Sequence, residues 1–153
     1  MNYQSPNIEE LIAAWRIAFP DDELAVQTLP LDDKVIAFPP EHIAPAAHIL
    51  VEQFHVTHLS ALTADDTGAG IVLLYHFWAG HGITLRTRLP YERLQIATLT
   101  DLIPGAAFYE REVQELLGVV FEGHPDPRRL LLPDDWQGEH PLRTTDSGKE
   151  NDE

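Results

Sequence analysis

Two neighbouring apolar runs constrain the fold of this chain more than any other feature of its sequence. Residues 71–78 are apolar at nearly every position, which is typical of an internal β-strand that is covered on both faces. Residues 83–89 alternate apolar side chains with polar ones, among them Arg86 and Arg88, which predicts one dry face and one wet, basic face. The glycine-containing turn at 79–82 is short enough to join the two runs. The sequence therefore predicts a β-hairpin near the centre of a sheet.

The remaining elements are predicted from apolar periodicity, caps and turn residues. In chain order they are a helix capped by Asn7 that ends near Phe19, strands at 24–28 and 34–38, a helix at 42–53, a strand at 54–62, the hairpin, and a helix at 106–117 capped by Gly118. The last helix is expected to bury a stripe formed by Phe108, Val113, Leu116 and Leu117. This order, without strict alternation of strand and helix, indicates an α+β fold. We expect a two-layer sandwich with one mixed or antiparallel sheet, helices on one face, and an extended C-terminal tail.

The composition disfavours several classes of function. The 153 residues include no cysteine, so the chain cannot hold an iron–sulfur cluster, a thiolate zinc site or a disulfide. With 25 acidic and 10 basic residues the net charge is −15, which disfavours nucleic-acid binding and favours a basic protein partner. No apolar run approaches the roughly 18 residues of a membrane-spanning helix, and the N-terminus lacks the basic region of a signal peptide. The chain is therefore expected in the cytosol, without direct membrane insertion, unless a partner brings it to a membrane.

Eight histidines suggest a metal site, but their spacing does not support one. His55 and His58 lie three residues apart in a predicted strand, so their side chains would point to opposite faces. No His-Glu-x-x-His pair is present. The glycine pairs at 68–70 and 80–82 lack the third glycine of a dinucleotide-binding loop and lead into strands. Neither a metal nor a nucleotide is expected, and a free metal-dependent enzyme that uses the histidines is a distant alternative.

A cluster of charges on the last predicted helix has three interpretations. Glu110, Arg111, Glu112 and Glu115 would need to include buried, paired carboxylates with separated pKa values if they were catalytic. They would form a solvated helix face, with an Arg111–Glu115 ion pair, if they were structural. They would contact another protein if the helix were part of an interface. The sequence pattern alone does not choose between the last two.

The segment that follows is too apolar for a free tail and too rich in proline for a helix. Prolines at positions 125, 127, 133 and 141 interrupt it, yet it contains the triplet Leu130-Leu131-Leu132 and Trp136. These side chains must be covered either by the chain's own domain or by another subunit. Arginine and tryptophan dominate the energetics of many protein interfaces, which supports the second option.

The residues from Ile103 to Val119, continuing through 121–125 and 128–136, resemble a known family. The core of the resemblance is Phe108-Tyr109-Glu110-Arg111-Glu112-Val113, followed by Arg128-Arg129-Leu130-Leu131-Leu132-Pro133-Asp134-Asp135-Trp136. This pattern closely resembles the C-type subunit of NADH-quinone oxidoreductase, which is the thirty-kilodalton subunit family of respiratory complex I. The upstream strands fit the same family more loosely. The pattern is also similar to the equivalent subunits of membrane-bound [NiFe] hydrogenases and formate hydrogenlyases.

The resemblance implies a non-catalytic scaffold subunit of the peripheral arm, without activity of its own. It implies that NADH, FMN, iron–sulfur clusters and quinone are bound by partner subunits, and that the chain packs on a homologue of the D-type subunit, with a B-type subunit among its other neighbours. The complex would hold it at the cytoplasmic side of the membrane. The chain then divides into an α+β core at 1–120, a partner-wrapping segment at 121–146 and a disordered acidic tail at 147–153. The candidate interface residues are Glu110, Arg111, Glu112, Glu115, His124, Asp126, Arg128, Arg129 and Trp136.

Overall fold

A five-stranded mixed sheet forms the centre of the fold in the computed structural model, which describes residues 5–144. Its strands are β1 (Val26–Thr28), β2 (Lys34–Ala37), β3 (Leu59–Asp66), β4 (Ile71–Trp78) and β5 (Gly82–Leu89). They are ordered β1-β2-β5-β4-β3, and only the β2–β5 pair is parallel. The predicted hairpin is confirmed as β4 and β5, and β4 is an internal strand.

Three helices form the second layer of the fold. They are α1 (Ile8–Ala18), α2 (Pro40–Glu52) and α3 (Ala106–Leu117). One face of the sheet, which includes Tyr75 and Leu85, forms a common core with apolar side chains of all three helices. A buried bond fixes α1 to α2, because the indole N–H of Trp15 donates to the carbonyl oxygen of Ala46 at 3.1 Å. The predicted α+β fold is confirmed.

The predicted ends of two elements were wrong. Helix α2 begins at Pro40, two residues before the predicted start, so Pro45 lies in its second turn and cannot donate to the carbonyl of Glu41. Strand β3 begins at Leu59 rather than at residue 54, because the chain first leaves α2 through His55 in a left-handed conformation with φ 57°. His55 and His58 therefore precede the strand. The prediction that their side chains point to opposite faces of a strand was therefore wrong.

A second, smaller sheet was not predicted. Strand β6 (Gln95–Ala97) pairs in parallel with β7 (Val120–Glu122), which follows α3 directly. The boundary proposed at residue 120 falls at the start of β7. Gly118 ends α3 in the predicted left-handed conformation, with φ 78°. The acidic segment proposed at 147–153 lies outside the described residues.

Candidate partner interface

Three polar side chains of α3 bind the C-terminal segment, residues 126–144, which we call the tail. Arg111, Gln114 and Glu115 stand at positions i, i+3 and i+4 and so share one face of the helix. Residues 127–132 lie opposite them without helix or strand structure, so the backbone polar groups of this stretch need other partners. The three side chains, which we call the tail clamp, supply those partners.

The acidic member of the tail clamp binds backbone N–H groups of the leucine triplet. Glu115 Oε2 accepts the N–H of Leu131 at 2.7 Å and that of Leu130 at 3.4 Å, while Oε1 accepts the N–H of Leu132 at 2.7 Å. The Glu115 side chain is buried, so these donors replace the water that a carboxylate otherwise binds. The triplet is thus held through its backbone rather than through its side chains.

The other two members bind carbonyl oxygens immediately upstream. Arg111 donates from Nε to the carbonyl of Arg128 at 2.9 Å and from Nη2 to that of Arg129 at 3.0 Å. Gln114 donates from Nε2 to the carbonyl of Pro127 at 3.2 Å. The cation therefore faces carbonyl oxygens and the anion faces N–H groups. Arg111 Nη1 also lies 3.8 Å from Asp126 Oδ2, and within residues 5–144 no ion pair joins Arg111 to Glu115, the pair that the structural interpretation required.

Arg129 organises the loop that presents Trp136. Its Nη1 donates to the carbonyl of Pro133 at 2.8 Å, and its Nη2 donates to the carbonyl of Trp136 at 3.2 Å. The indole N–H of Trp136 donates to the carbonyl of Glu139 at 3.1 Å. A cleft of about 250 Å³ lies between this loop and the tail clamp. Arg129 thus acts within the tail, and the tryptophan ring stays partly exposed.

Asp126 and Arg128 form a surface pair at the start of the tail. Arg128 contacts the two carboxylate oxygens of Asp126 at 2.7 and 2.8 Å, and this contact lowers the pKa of Asp126. The Arg128 side chain is 83% exposed. His124, by contrast, is buried: its Nδ1 accepts the N–H of Asp126 at 3.0 Å, and its Nε2 lies 3.1 Å from the carbonyl of Ala107. Because Nδ1 accepts a hydrogen bond, Nε2 is the ring nitrogen that donates to the carbonyl of Ala107.

Glu110 is fully buried and serves the interior of the domain. Its carboxylate accepts the N–H of Leu99 at 2.7 Å and the hydroxyl of Thr98 at 2.5 Å, which ties the loop after β6 to α3. Burial raises the pKa of Glu110, although these hydrogen bonds act in the opposite direction. The alternative of a solvated helix face is therefore wrong for Glu110 and Glu115. Glu112 is exposed.

The predicted apolar stripe of α3 needs one correction. Phe108 was expected in the core, but its ring is exposed at 62%. Val113 and Leu117 are buried as predicted, while Leu116 is half-buried. The helix is turned so that two carboxylates, rather than the phenylalanine, face inward.

A second anchor, which the sequence pattern did not reveal, lies at Asp66, the last residue of β3. The Asp66 carboxylate accepts the N–H of Thr144 at 2.8 Å and the N–H of Gly68 at 3.1 Å, contacts the hydroxyl of Tyr91, and lies 3.3 Å from Arg143 Nε. Burial works to raise the pKa of Asp66, but the hydrogen bonds outweigh it and lower the pKa to about 2. No local pattern could have predicted this contact, because Asp66 and Thr144 are 78 residues apart.

The two anchors leave apolar side chains of the tail on the surface. Leu131 is 59% exposed and Leu142 is 56% exposed, although their backbone N–H groups are bonded to Glu115 and to the carbonyl of Leu116. Leu130 and Trp136 are also exposed, to a smaller degree. The tail therefore has an ordered backbone and an outward-facing apolar surface. Such a surface is typical of a protein interaction site.

Residues 36–152 match the profile of a protein family described as "Respiratory-chain NADH dehydrogenase, 30 Kd subunit". The chain belongs to this family. The match includes the whole of α3 and all described residues of the tail. The resemblance inferred from the sequence is confirmed.

Curated relatives of this family member are much longer proteins, named as the C/D subunit of NADH-quinone oxidoreductase. A protein of Photorhabdus laumondii, named as the C/D subunit of NADH-quinone oxidoreductase, is 42% identical over 90 residues, which are 57% of this chain and 14% of that protein. The protein of the same name from Nitrosospira multiformis is 38% identical over 90 residues, 54% of this chain and 15% of that protein. The chain thus matches about one seventh of the length of these relatives.

Two solved structures share the fold of this family member. A trypsin-resistant fragment of Nqo5 superimposes with a TM-score of 0.65 at 24% identity, over 78% of this chain and 98% of the fragment. A chain of a membrane-bound sulfane sulfur reductase, an archaeal respiratory membrane complex, gives a TM-score of 0.69 at 23% identity, over 90% of this chain and 84% of that one. At these identities the likeness concerns the fold.

The nine residues predicted for the interface occupy three kinds of position. Arg111 and Glu115 contact the tail, whereas Glu110 and His124 are buried within the domain. The remaining five are at least partly accessible at the surface of α3 or the tail: Glu112, Asp126, Arg128, Arg129 and Trp136. Their contact with a partner stays a prediction.

Proposed function

We propose that this chain is a non-catalytic scaffold subunit of the peripheral arm of a complex I-type NADH:quinone oxidoreductase. Its tail packs on a homologue of the D-type subunit and supports electron transfer to quinone coupled to ion translocation. Family membership supports the assignment to this type of complex. The observation that carries the scaffold role is the tail itself, in which an ordered backbone presents Leu131, Trp136 and Leu142 outward.

The physical reason is the cost of ordering the tail. Residues 127–144 have almost no regular structure, and holding each residue in one conformation costs about 1–2 kcal/mol of backbone entropy. Polar contacts to Arg111, Glu115 and Asp66 offset part of that cost without covering the leucines. A partner surface that buries those leucines supplies the rest, at about 25 cal/mol for each Å² of apolar area removed from water.

The names of the curated relatives support a D-type subunit as the neighbour. Those proteins are named as C/D subunits, and this chain matches only 14–15% of their length. When two subunits occur in one polypeptide, they are held close together throughout the life of the protein. We infer that the separate C-type chain and its D-type partner contact each other in the same way. A B-type subunit is a further proposed neighbour.

Under this proposal the redox groups belong to other subunits. NADH, FMN, the iron–sulfur clusters and quinone are bound by partners, and the isolated chain has no activity. Within residues 5–144 no helix has the length and apolarity needed to cross a bilayer. We propose that the chain is held peripherally at the cytoplasmic side of the membrane through its complex.

The test is co-purification of the complex with an affinity-tagged full-length chain. The variant Leu131→Asp places a charge on the proposed contact surface while its backbone N–H still reaches Glu115. We expect the amount of D-type subunit recovered to fall at least tenfold, since a buried unpaired charge weakens an interface strongly. NADH:quinone oxidoreductase activity of the recovered material should fall in proportion.

The matched control is Ile17→Asp, which places the same charge on α1 at a residue that is 82% exposed. It should leave both recovery and activity unchanged. Equal losses in the two variants, or a wild-type chain that recovers no D-type subunit, would show that the proposed scaffold role is wrong. Thermal unfolding of both purified variants separates loss of assembly from loss of folding.

A second candidate is the equivalent subunit of another membrane-bound complex, a [NiFe] hydrogenase or a formate hydrogenlyase. A chain of an archaeal membrane-bound sulfane sulfur reductase shares this fold over 90% of the present chain. The fold therefore also occurs in a membrane complex that is not named as an NADH-quinone oxidoreductase, and this favours the second candidate. The recovered complex decides between the two candidates. Reduction of quinone by NADH selects the first, and hydrogen evolution selects the second.

The distant alternative, a free metal-dependent enzyme, makes a separate prediction. It requires stoichiometric metal and turnover by the purified chain alone. Among residues 5–144 no group of three or more His, Asp or Glu side chains is placed to hold a metal ion. Metal analysis of the purified full-length chain tests this alternative directly.

A further inference from the structure

The face of the five-stranded sheet that points away from the helices has an unusual composition. We call it the outer face and define it by alternate residues of β2, β5, β4 and β3. In cross-strand rows these are Val35, Thr84, His76 and Ala61, then Ala37, Arg86, Leu74 and Thr63, and finally Arg88, Val72 and Asp65. The outer-face valines and leucine do not belong to the core cluster, which occupies the opposite side of the sheet.

Five of the eleven outer-face residues are apolar. Val35, Ala37, Leu74 and Ala61 are each only partly covered, and Val72 is covered although it lies outside the core. A sheet face that is simply solvated alternates apolar residues inside with polar residues outside. The outer face departs from that pattern on β4, where both sets of positions are apolar apart from His76.

A hydrogen-bonded ladder keeps this face rigid. His76 on β4 lies 2.8 Å from the hydroxyl of Thr63 on β3 through Nε2, and 3.0 Å from the hydroxyl of Thr84 on β5 through Nδ1. Both ring nitrogens are therefore occupied within the sheet. The ladder fixes three adjacent strands and so presents Leu74, in the next row, on a surface that does not need to be ordered when a partner binds.

The charges of the outer face differ from those of the chain as a whole. The chain carries −15, yet the outer face contains two of its ten basic residues, Arg86 and Arg88, against one acidic residue, Asp65. Arg88 donates to the carbonyl of Ala69 at 2.8 Å, and no ion pair within residues 5–144 involves Arg86 or Arg88. At contact distance, well inside the Debye length of about 8 Å, these local charges decide which group is attracted.

We propose that the outer face binds an acidic amphipathic helix of another subunit. This inference rests on the proposed function, because it requires that the chain be part of a complex, but it concerns a different surface from the tail. Arg86 pairs across the sheet with Leu74, and Arg88 pairs with Val72, so two cations run beside two apolar side chains. A helix with carboxylates along one side of an apolar stripe matches that arrangement.

The spacing fits a helix. Arg86 and Arg88 are two residues apart on β5, about 6.6 Å along the strand. Two carboxylates at i and i+4 of a helix are about 6 Å apart along its axis. The four strands of the outer face span about 14 Å at their usual spacing of about 4.8 Å, which is enough for one helix of about 10 Å diameter. Asp65, on the far side of Val72, disfavours carboxylates there and so fixes which side of the helix faces β5.

A second copy of this chain fits the outer face poorly. Two copies face to face would oppose arginine with arginine, and each copy carries a net charge of −15. The partner must instead supply negative charge locally and an apolar stripe. The proposal therefore commits to a helix of a different polypeptide.

The test is site-specific photo-cross-linking in cells that make the tagged full-length chain. A photoreactive amino acid replaces Leu74 on the outer face, and Ile17 on α1 serves as the exposed control position. We expect an adduct at position 74 with one different polypeptide, joined at a peptide that has acidic residues at i and i+4.

The double variant Arg86→Glu and Arg88→Glu should lower the yield of that adduct at least tenfold, whereas Arg16→Glu should not. Changing the two partner carboxylates to lysine should restore the yield with the double variant.

Each other outcome contradicts the inference. These outcomes are a yield at position 74 no higher than at position 17, an adduct with a second copy, a peptide without paired acidic residues, and a yield unaffected by charge reversal. Co-purification without irradiation keeps the two proposals separate. If the D-type subunit is recovered but position 74 gives no adduct, only the outer-face inference is wrong. If an acidic helix is cross-linked but no D-type subunit is recovered, only the proposed function is wrong.

Discussion

Glu115 and Leu132 are joined by a hydrogen bond of 2.7 Å between the carboxylate of a buried helical residue and the backbone N–H of a residue in an irregular tail. Leu131 bonds to the other oxygen of the same carboxylate at the same distance. One side chain thus fixes the conformation of two successive residues whose own side chains are left to other contacts. This separation of backbone and side-chain roles allows the tail to be ordered and still present an apolar surface.

The first prediction concerns that carboxylate. In Glu115→Gln one carboxylate oxygen becomes an NH₂ group, which cannot accept a hydrogen bond from the backbone N–H of a leucine. The hydrogen bond to the remaining oxygen then has a neutral acceptor instead of a charged one. We expect the free energy of unfolding to fall by about 2 kcal/mol, which is typical for hydrogen bonds to a charged group. Hydrogen exchange at the amides of Leu131 and Leu132 should become faster by a larger factor than exchange in β4.

The control for this change is Glu112→Gln on the exposed side of the same helix. It removes the same charge from α3 without touching the tail, and surface substitutions of this kind change stability by less than about 0.5 kcal/mol. If both variants accelerate exchange in the leucine triplet equally, the tail clamp does not hold the tail.

The second prediction concerns pH and the Asp66 anchor. The pKa of Asp66 is lowered to about 2, so the folded protein holds its carboxylate in the charged form more strongly than the unfolded chain does. The stabilisation is therefore present above about pH 4 and is lost as the pH falls toward about 2. We expect Asp66→Asn to reduce the free energy of unfolding by about 2 kcal/mol at neutral pH, because the N–H groups of Gly68 and Thr144 lose their charged acceptor.

The measurement is chemical denaturation of wild type and Asp66→Asn between pH 2 and pH 7. The two stability curves should converge at the acid end, because both side chains are then uncharged. Asp65→Asn, one residue away on the opposite face of β3, is the matched control and should not reproduce the convergence. A gap between wild type and Asp66→Asn that stays constant with pH would contradict the anchor.

The hairpin and α3 could be predicted from sequence because their signals are local. The continuous apolar run of β4, the alternation of apolar and polar residues in β5, and the glycine that follows the last apolar residue of α3 each lie within or next to one element. Strands β6 and β7 have three residues each, too few for any periodicity to appear. The pattern of α3 wrongly placed Phe108 in the core and left the position of Glu110 open, because the hydroxyl of Thr98 and the N–H of Leu99, which allow the Glu110 carboxylate to be buried, lie outside the helix. Contacts such as Asp66–Thr144, 78 residues apart, leave no local signal.

The third prediction concerns the buried carboxylate of Glu110. Glu110→Ala leaves the N–H of Leu99 without its acceptor in the interior and removes one partner of the Thr98 hydroxyl. An unsatisfied buried donor costs about 1–3 kcal/mol, so we expect the free energy of unfolding to fall by about 2–3 kcal/mol. Denaturant unfolding measures this loss, with Glu112→Ala as the exposed control. Equal stability of the two alanine variants would show that the Glu110 contacts contribute nothing.

The last prediction concerns the passage from α3 into the tail. Gly118 has a left-handed backbone, and a Cβ added there would lie only 2.6 Å from the imidazole Cδ2 of His140. His140 belongs to the tail, and its Nδ1 lies 2.8 Å from the carbonyl of Glu115. Gly118→Ala therefore combines backbone strain of about 1 kcal/mol with a displacement of the tail.

His140→Ala removes the colliding ring, so the double variant should lose less stability than the sum of the two single variants. Denaturation of the four proteins measures that coupling, which distant sites would not show. Strict additivity would mean that the tail does not pack on the end of α3.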